Sequence, residues 1–361
     1  METVYVELER NGYPVYCGPG LLSDRELWRK HLGRGRILVV SNEVVAPLYL
    51  ERVLAAIDRE DAEVHIVPDG EEHKTLKTWS GVLDRLVDIR ARRDATVIAL
   101  GGGVVGDMAG FAAASYMRGV RLIHAPTTLL AQVDASVGGK TGVNHVRGKN
   151  LVGAFYQPAA VIIDSDTLTT LPDREYGAGM AEVIKYGAIG DPGFFDWLLR
   201  HSTGISHREP ETIRVMIGES VRNKAGIVAQ DETESGVRAL LNFGHTFGHA
   251  LESVTAYRRF LHGEAVAIGM VTAAVLSEQR HLCPAGTANH LADLVGRFGL
   301  QVRIPSDLSV ESLAEAMELD KKAVASGLRL VLLEDIGKAV VDQKSSREEI
   351  VQAMNDNQHD A

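Results

Sequence analysis

Cysteine is scarce in this sequence, which contains only Cys17 and Cys283. The two lie far apart and in no Cys-x-x-Cys spacing, so neither a disulfide framework nor a thiolate metal site is expected. Any bound metal ion would therefore have to use histidine and carboxylate ligands.

Basic residues are also in the minority, with 38 Lys and Arg against 48 Asp and Glu and a net charge of -10. This balance argues against nucleic acid as a partner, because binding to a phosphate backbone depends on clustered Lys and Arg. A small anionic substrate is still allowed, since it needs only a few cations gathered in one place.

Long uncharged hydrophobic runs are missing too. The opening METVYVELERNGYPV carries charges among its apolar residues, which argues against a signal peptide or a membrane-spanning segment. With 361 residues, 45% hydrophobic and 24% charged, we expect about two globular domains, a cytoplasmic location and no membrane partner.

The first half of the chain alternates short β-branched runs with helical patterns. Five segments predict strands: RGRILVV, AEVHIVP, ATVIAL, RLIHAP and AAVIIDS. Amphipathic stretches separate the first three, which indicates βαβ units and a largely parallel sheet. TVYVEL and YPVYCG predict an antiparallel pair ahead of it.

The pattern becomes mainly helical after about residue 172. We therefore predict an α/β domain over residues 1–175 and a mainly α-helical domain over residues 176–361. Near the C-terminus RLVLLEDIGKAVV predicts a small hairpin that turns at residues 335–338.

A glycine-rich segment, GGGVVGD, follows the third predicted strand. Gly101, Gly103 and Gly106 satisfy the Gly-x-Gly-x-x-Gly spacing, which favours a dinucleotide bound at a helix N-terminus. A tight strand-to-helix turn would explain the same glycines equally well. The acidic ribose ligand expected about 20 positions later is missing.

Two further loops carry polar residues where predicted strands end. PDGEEHK collects Asp69, Glu71 and Lys74, although a solvated turn would explain it alone. HAPTTLLAQVDASVGGKTGVNHVRGKN sets glycines beside Lys140 and Lys149, which is typical of a loop around a polyanion or nucleotide.

His245 and His249 lie four residues apart in the apolar run LLNFGHTFGHALE. Their spacing puts both imidazoles on one helix face and favours them as metal co-ligands, with His262 or Glu182 as a third. No glutamate stands between them, so a zinc protease motif is disfavoured. Core histidines bonded to backbone carbonyls are the alternative.

Several cations stand in or near apolar helical patterns. Lys224 falls on the apolar stripe of ETIRVMIGESVRNKAGIVAQ, where snorkelling is the ordinary explanation. Arg238 with Asn242, and Lys321 with Lys322, could complete a cationic site. Its natural guest is a phosphorylated carboxylate.

These segments together resemble the 3-dehydroquinate synthase family of sugar phosphate cyclases. The resemblance rests on GGGVVGDMAGFAAASYMRGV, PTTLLAQVDASVGGKTGVNH, GKNLVGAFYQP, AEVIKYG, NFGHTFGHALE and LHGEAVAIGM, and it covers nearly the whole chain. It implies a Rossmann-like N-terminal domain that binds NAD, a helical C-terminal domain, and a metal ion, usually Zn²⁺ with Co²⁺ possible.

The resemblance also implies residue roles. The metal ligands would be Glu182, His245 and His262, with His249 turned to the substrate instead. The NAD site would comprise Asp69, Gly70, Glu71, Lys74, Gly102, Gly103, Val104, Val105, Gly106, Asp107, Thr127, Thr128, Lys140, Lys149, Thr167, Leu168, Thr169 and Thr170. The substrate would be held by Asp134, Lys140, Asn150, Lys185, Lys224, Arg238, Asn242, His249 and one of Lys321 or Lys322.

Arg118 resembles a residue that reaches the phosphate of a neighbouring subunit, which implies a homodimer. In many relatives an acidic residue contacts the adenine ribose where this chain has VVSNEVV, so Asn42 or Glu43 would have to substitute.

The implied reaction converts 3-deoxy-D-arabino-heptulosonate 7-phosphate to 3-dehydroquinate and phosphate, in the shikimate pathway. It passes through transient NAD-dependent oxidation, β-elimination of phosphate, reduction, ring opening and intramolecular aldol closure. The alternatives are another sugar phosphate cyclase, a metal-dependent NAD alcohol or glycerol dehydrogenase, and a non-catalytic binding protein.

Overall fold

The computed structural model describes residues 1–323 and 328–358, without the side chains of residues 319–323. Its contacts divide the chain into two compact units, Met1–Leu171 with Ile213–Glu232, and Pro172–Thr212 with Thr233–Ala361. The first division falls close to the predicted boundary at residue 175. A single boundary there differs from the structure in one respect, because Ile213–Glu232 belong to the first unit.

The first unit is built on a seven-stranded sheet. Its strands are β1 (Glu2–Val6), β2 (Tyr13–Gly18), β3 (Ile37–Asn42), β4 (Ala62–Val67), β5 (Thr96–Gly101), β6 (Arg121–Pro126) and β9 (Ala160–Asp164). All five parallel strands and the antiparallel β1–β2 pair were predicted, and the structure confirms them.

The strand order of this sheet is β1-β2-β9-β6-β5-β3-β4. Among β3, β4, β5, β6 and β9 the order is that of a doubly wound 2-1-3-4-5 sheet, in which ligands bind outside the carboxyl ends where the order reverses. That point lies between β3 and β5. The loops after these strands are therefore the part of the unit to inspect for a ligand site.

Helices cover both faces of the sheet. They are α1 (Arg25–His31), α2 (Ala46–Ile57), α3 (Leu76–Asp88) and α4 (Gly103–Ser115). Residues of β3 and β5 are buried on both faces, in two apolar clusters that contain Ile37, Val39 and Ile98 on one side and Leu38, Val40 and Val97 on the other. A strand that is buried on both faces needs apolar side chains at successive positions, so its sequence is a nearly continuous run of β-branched and other apolar residues.

The segment that the sequence predicted as a loop around an anion contains, from Lys140 onward, a two-stranded hairpin, β7 (Lys140–His145) and β8 (Gly148–Phe155). Val143, Val152 and Ala154 alternate with glycine, and Val143 is buried in the cluster that α4 joins. Gly142 and Gly153 stand opposite each other, where an added Cβ would meet backbone atoms. The high glycine content concealed the strand alternation in the sequence.

The second unit is mainly helical, as predicted. Its helices are α5 (Asp173–Gly190), α6 (Pro192–Ser206), α8 (His245–Val254), α9 (His262–Gln279), α10 (Thr287–Arg297), α11 (Val310–Ala323) and α12 (Arg347–Asp356). The predicted hairpin is confirmed as β10 (Leu330–Asp335) and β11 (Lys338–Asp342), and α7 (Pro210–Gln230) belongs to the first unit from Ile213 onward. Among the described residues, none of the helices has the length and apolarity to cross a membrane.

Candidate functional site

The glycine-rich segment lies in the strand–turn–helix context that its spacing required. Gly101 ends β5, Gly102 precedes the helix, and α4 begins at Gly103, so the backbone N–H groups of Gly103, Val104 and Val105 have no carbonyl four residues earlier within the helix, whereas the Gly106 N–H donates to the carbonyl of Gly102. An added Cβ on Gly102 would lie 3.1 Å from Cγ2 of Thr128. The turn therefore combines close backbone packing with unpaired donors at a helix start, which is the geometry an anionic phosphate needs.

Lys74 links the loop after β4 to this helix. Its ammonium is almost completely buried and donates to Oδ2 of Asp107 at 2.5 Å and to Oδ1 of Asn150 at 2.7 Å. Burial would lower the pKa of Lys74, but the carboxylates of Asp107 and Glu71 outweigh it and raise the pKa. The structure thus brings a positively charged lysine together with three other predicted site residues.

The loop after β4 is also tied to the end of β3. Asn42 is buried, its side-chain amide donates to Oδ1 of Asp69 at 2.5 Å, and its carbonyl oxygen accepts from the N–H of Val45 at 2.7 Å. Gly70, with φ of 111°, allows the turn that leads into Glu71. Of the two candidates for the missing acidic contact, Asn42 therefore holds Asp69 in position, whereas Glu43 is exposed.

The loops after β6 and β9 meet through Gln132, a residue that the sequence did not single out. Its fully buried amide donates to the carbonyls of Pro126 and Asp164 and to Oγ1 of Thr167. Thr127 and Thr128 follow β6, and the short helix Ser165–Thr169 with Thr170 follows β9. An uncharged glutamine in LLAQVDA gives little signal, because only the folded chain shows which strand ends it joins.

Lys224 and Asp134, which lie 90 positions apart in the sequence, meet in the first unit. The Lys224 ammonium donates to the backbone carbonyl of Asp134 at 2.6 Å and to its Oδ1 at 2.7 Å. Only about 6% of the Lys224 side chain is exposed. Lys224 therefore does not snorkel to solvent as a single lysine on an apolar stripe usually does.

In the second unit, glycines allow the helices that carry the predicted metal ligands to approach closely. An added Cβ on Gly263 would lie 2.6 Å from the carbonyl carbon of Ala178 and nearer still to its oxygen. Gly269 and Gly248 similarly meet backbone atoms of the facing helix or turn. This contact holds His262, the residue before Gly263, beside α5. The contacted residue, Ala178, lies one helical turn before Glu182 in α5.

Glu182, His245 and His262 present their ligating atoms to one another. Nε2 of His245 lies 3.7 Å from Oε1 of Glu182, and Nε2 of His262 lies 4.0 Å from the same oxygen. The three ligand atoms all lie within 4.8 Å of one another. One ion at about 2.0–2.2 Å from each atom is compatible with such separations.

The electrostatics of this cluster are those of a cation site. Glu182 is about 1% exposed, and neither of its oxygens accepts a well-directed hydrogen bond from any residue that the structure describes. Lys185, one turn further on, forms an ion pair with it. Burial lowers the pKa of His245 well below its ordinary value, and the positive charge of Lys185 adds to this, so the imidazole is neutral and able to donate a lone pair.

The second nitrogen of each imidazole is also engaged. Nδ1 of His245 donates to the carbonyl of Phe243 at 3.2 Å, and Nδ1 of His262 lies 3.3 Å from Oε2 of Glu252. The sequence did not single out Glu252, which is about 2% exposed. The available signal was a carboxylate three residues after His249, directly after the apolar pair Ala250-Leu251.

His249, the partner of His245 in the spacing argument, is exposed at the edge of the same cluster. Its ring centroid lies 5.6 Å from that of His245 and 5.9 Å from that of His262. A second possible ligand set, His249 with Glu252 and His262, also lies within 4.8 Å. His249 therefore lies close to the cluster, but neither ligand set contains both His245 and His249.

The other predicted residues are distributed as follows. Arg238 is fully buried and Asn242 donates to Oε1 of Glu234 at 2.8 Å in the second unit. Lys140, Lys149 and Asn150 lie on the β7–β8 hairpin, and Arg118 is exposed in a turn where its φ is 66°. Lys321 and Lys322 lie in α11, but their side chains are outside the described residues.

Known proteins resemble this chain over nearly its whole length. Family models described as 3-dehydroquinate synthase N-terminal and 3-dehydroquinate synthase C-terminal match residues 64–178 and 179–323. A 3-dehydroquinate synthase from Methylococcus capsulatus is 54% identical over 341 residues, which are 94% of this chain and 95% of the relative.

Solved structures give the same result for the fold. The 2-epi-5-epi-valiolone synthase of Streptomyces hygroscopicus, with NAD⁺ and Zn²⁺ bound, has a TM-score of 0.88 at 29% identity and covers 97% of this chain and 98% of its own. A 2-deoxy-scyllo-inosose synthase complexed with carbaglucose-6-phosphate, NAD⁺ and Co²⁺ has a TM-score of 0.87 at 27% identity, over 99% of this chain and 100% of its own. The chain therefore belongs to the 3-dehydroquinate synthase family.

Proposed function

We propose that this protein carries out the reaction of its family, the conversion of 3-deoxy-D-arabino-heptulosonate 7-phosphate to 3-dehydroquinate and phosphate. The observation that carries the proposal is the convergence of Glu182, His245 and His262 on one point in a chain whose curated relatives are 3-dehydroquinate synthases. The valiolone and inosose synthases are far less similar in sequence, at 29% and 27% identity. This difference favours the heptulosonate phosphate over their substrates.

The residues fit a divalent metal ion such as Zn²⁺ or Co²⁺. A carboxylate and two imidazoles form a donor set that catalytic zinc sites use, with a position left for substrate. The buried Glu182 oxygens accept no well-directed hydrogen bond within the described residues, and a divalent ion would give this carboxylate a second positive partner beside Lys185. When bound, the metal would act as a Lewis acid on substrate hydroxyls, and NAD would accept and return a hydride.

The first unit fits NAD. The first turn of α4, at Gly103, Val104 and Val105, offers N–H groups for a pyrophosphate, and Lys74 supplies a fixed positive charge next to Asp107. Asp69, oriented by Asn42, is the carboxylate best suited to a ribose hydroxyl. Thr127 and Thr128 directly follow β6, and Thr167, Thr169 and Thr170 follow β9, so these threonines stand at the carboxyl ends of neighbouring parallel strands.

The chain's own side chains then orient the substrate and control its protons. Lys224, whose ammonium is fixed by Asp134, is suited to hold phosphate. For Arg238, and for Lys321 or Lys322, a phosphate contact rests on the resemblance to the family alone. Lys140 and Asn150 are suited to the carboxylate end. Preoriented cations stabilise the negative charge that develops during elimination more than mobile ones would.

Lys185 and His249 would act on the substrate from the metal side. Lys185 is buried and ion-paired with Glu182, so its charge is held in place beside the metal ligands. His249 is exposed at the edge of the cluster and is suited to bond a substrate hydroxyl.

We further propose a cytoplasmic homodimer in which Arg118 serves the site of the neighbouring subunit. The side chain of Arg118 is exposed, and the turn that carries it holds two successive residues, Met117 and Arg118, at positive φ. Both cysteines are free thiols, which suits a reducing compartment.

The test is incubation of the purified protein with the heptulosonate phosphate, Zn²⁺ and a catalytic amount of NAD. Phosphate and 3-dehydroquinate should appear in equal amounts over many turnovers, with no lasting absorbance from NADH. Accumulation of NADH in proportion to substrate consumed, without phosphate, would show an alcohol dehydrogenase instead. Faster release of phosphate from a sugar phosphate that lacks the carboxylate would indicate another cyclase.

A further inference from the structure

The carboxylate of Glu252 contacts the predicted metal ligand His262. Glu252 stands on α8 and His262 begins α9, and Oε2 of the glutamate lies 3.3 Å from Nδ1 of the imidazole. Glu252 is about 2% exposed. A carboxylate so deeply buried is costly unless it has a donor or a cation to bond.

This contact determines how the imidazole can be protonated. A carboxylate oxygen only accepts hydrogen bonds, so the proton of the neutral ring must reside on Nδ1. The lone pair is then on Nε2, which is the nitrogen that lies 4.0 Å from Oε1 of Glu182. The ring is therefore fixed in the tautomer that directs its lone pair toward the other two ligands.

The two histidines of the cluster differ in this respect. His245 uses a backbone carbonyl, that of Phe243, as the acceptor for its Nδ1 proton, whereas His262 uses an anion. When the Nδ1–H group donates to an anion instead of a neutral carbonyl, the other ring nitrogen becomes a stronger ligand for a metal ion. His262 also has the more exposed side chain, at 34% against 14%, so it has fewer packing contacts to fix its orientation.

We propose that Glu252 is a positioning residue for the metal site: it orients His262, selects its Nδ1–H tautomer and strengthens its bond to the ion, without itself contacting the ion. The proposal rests on the metal site described under the proposed function. It differs from the second geometric possibility, in which Glu252 binds the ion directly together with His249 and His262.

The experiment measures Zn²⁺ and Co²⁺ affinity of the full chain by competition with a chromophoric chelator, together with the visible spectrum of the Co²⁺ form. Glu252→Ala should weaken metal binding by about 10- to 100-fold, the usual effect of removing such a partner. Glu252→Gln keeps an acceptor but loses the charge, so it should recover part of that loss. In both variants the Co²⁺ spectrum should shift, because the bond from His262 weakens.

Glu264→Gln is the matched control. Glu264 lies two residues after His262 in the same helical turn, but its carboxylate pairs with Arg174 and with the Leu261 N–H. This variant should bind metal as tightly as wild type. If it loses as much affinity as Glu252→Gln, the effect comes from disturbing the start of α9, and the positioning role is refuted.

Two more variants separate failure of this inference from failure of the site itself. Glu182→Gln should lower metal affinity by more than either Glu252 variant, and His249→Ala should leave it nearly unchanged. If Glu182→Gln abolishes binding while Glu252→Ala binds as wild type, the metal site stands and the role of Glu252 is wrong. If His249→Ala and Glu252→Ala abolish binding while Glu182→Gln does not, Glu252 is a ligand, and both proposals fail.

Discussion

Replacement of Gly263 by alanine tests how the fold assembles the metal cluster. The added Cβ would lie 2.6 Å from the carbonyl carbon of Ala178, whereas non-bonded carbons ordinarily stay about 3.5–4.0 Å apart. Both atoms are tied to backbone, so no side chain can move aside, and α9 must shift by about 1 Å from α5. His262 adjoins the substituted residue, while metal–ligand distances tolerate only about 0.2 Å.

We therefore expect Gly263→Ala to lose about 1–3 kcal/mol of stability from overpacking and at least about 10-fold in Zn²⁺ affinity. Thermal unfolding of the metal-free protein and chelator competition measure the two effects separately. Gly296→Ala, in helix α10 with open space around the added methyl, is the matched control and should keep wild-type metal affinity. Wild-type stability and affinity in Gly263→Ala would refute the close-approach explanation.

Three further predictions follow from individual groups. Lys185→Met keeps the packing volume of a side chain that is 2% exposed but removes its charge, so metal should still bind while phosphate release falls at least about 100-fold; an undiminished rate would contradict its role. Chelator treatment should abolish phosphate release and either Zn²⁺ or Co²⁺ should restore it, whereas full activity of the metal-free protein would refute the metal site. Burial lowers the pKa of the His124 imidazole to about 4, compared with about 6.5 in the unfolded chain. The unfolded chain therefore takes up this proton first, and the stabilisation of the folded state by neutral His124 is complete above pH 6.5 and is lost as the pH falls toward 4. His124→Gln should therefore remove up to about 3 kcal/mol of this acid sensitivity in denaturant unfolding at pH 7.5 and 4.5, and an unchanged pH dependence would show that His124 is not responsible.

The parallel strands could be predicted because burial on both faces leaves a plain mark in the sequence. ILVV in β3 and VIAL in β5 are continuous apolar runs, and each strand ends at a polar or glycine-rich loop. The glycine motif added a functional hypothesis at the end of β5. The glycine motif could also be placed at the start of α4, because it stands directly after the apolar strand run in the sequence.

The β7–β8 hairpin was mistaken for a loop because its apolar alternation is carried by small residues. Gly142 and Gly153 occupy positions where a larger side chain would have revealed the period of two. Backbone atoms leave no room for such side chains at that point. Close packing therefore selected the glycines that concealed the strands.

The metal cluster could be predicted only in part from spacing. The i, i+4 relation found His245 and His249, but the geometry groups His245 with Glu182 from a helix 63 positions earlier in the chain. The grouping of His245 with Glu182 was instead predicted from the resemblance to the 3-dehydroquinate synthase family. Glu252 and Gln132 escaped prediction because their importance lies in which distant groups they bond.

Anomalous diffraction at the zinc edge from crystals of the zinc-loaded protein tests the central claim most directly. A single peak should appear about 2.0–2.2 Å from an oxygen of Glu182 and from Nε2 of both His245 and His262. A peak coordinated instead by His249 and Glu252, or no peak at Glu182 in a fully active preparation, would contradict the proposed site.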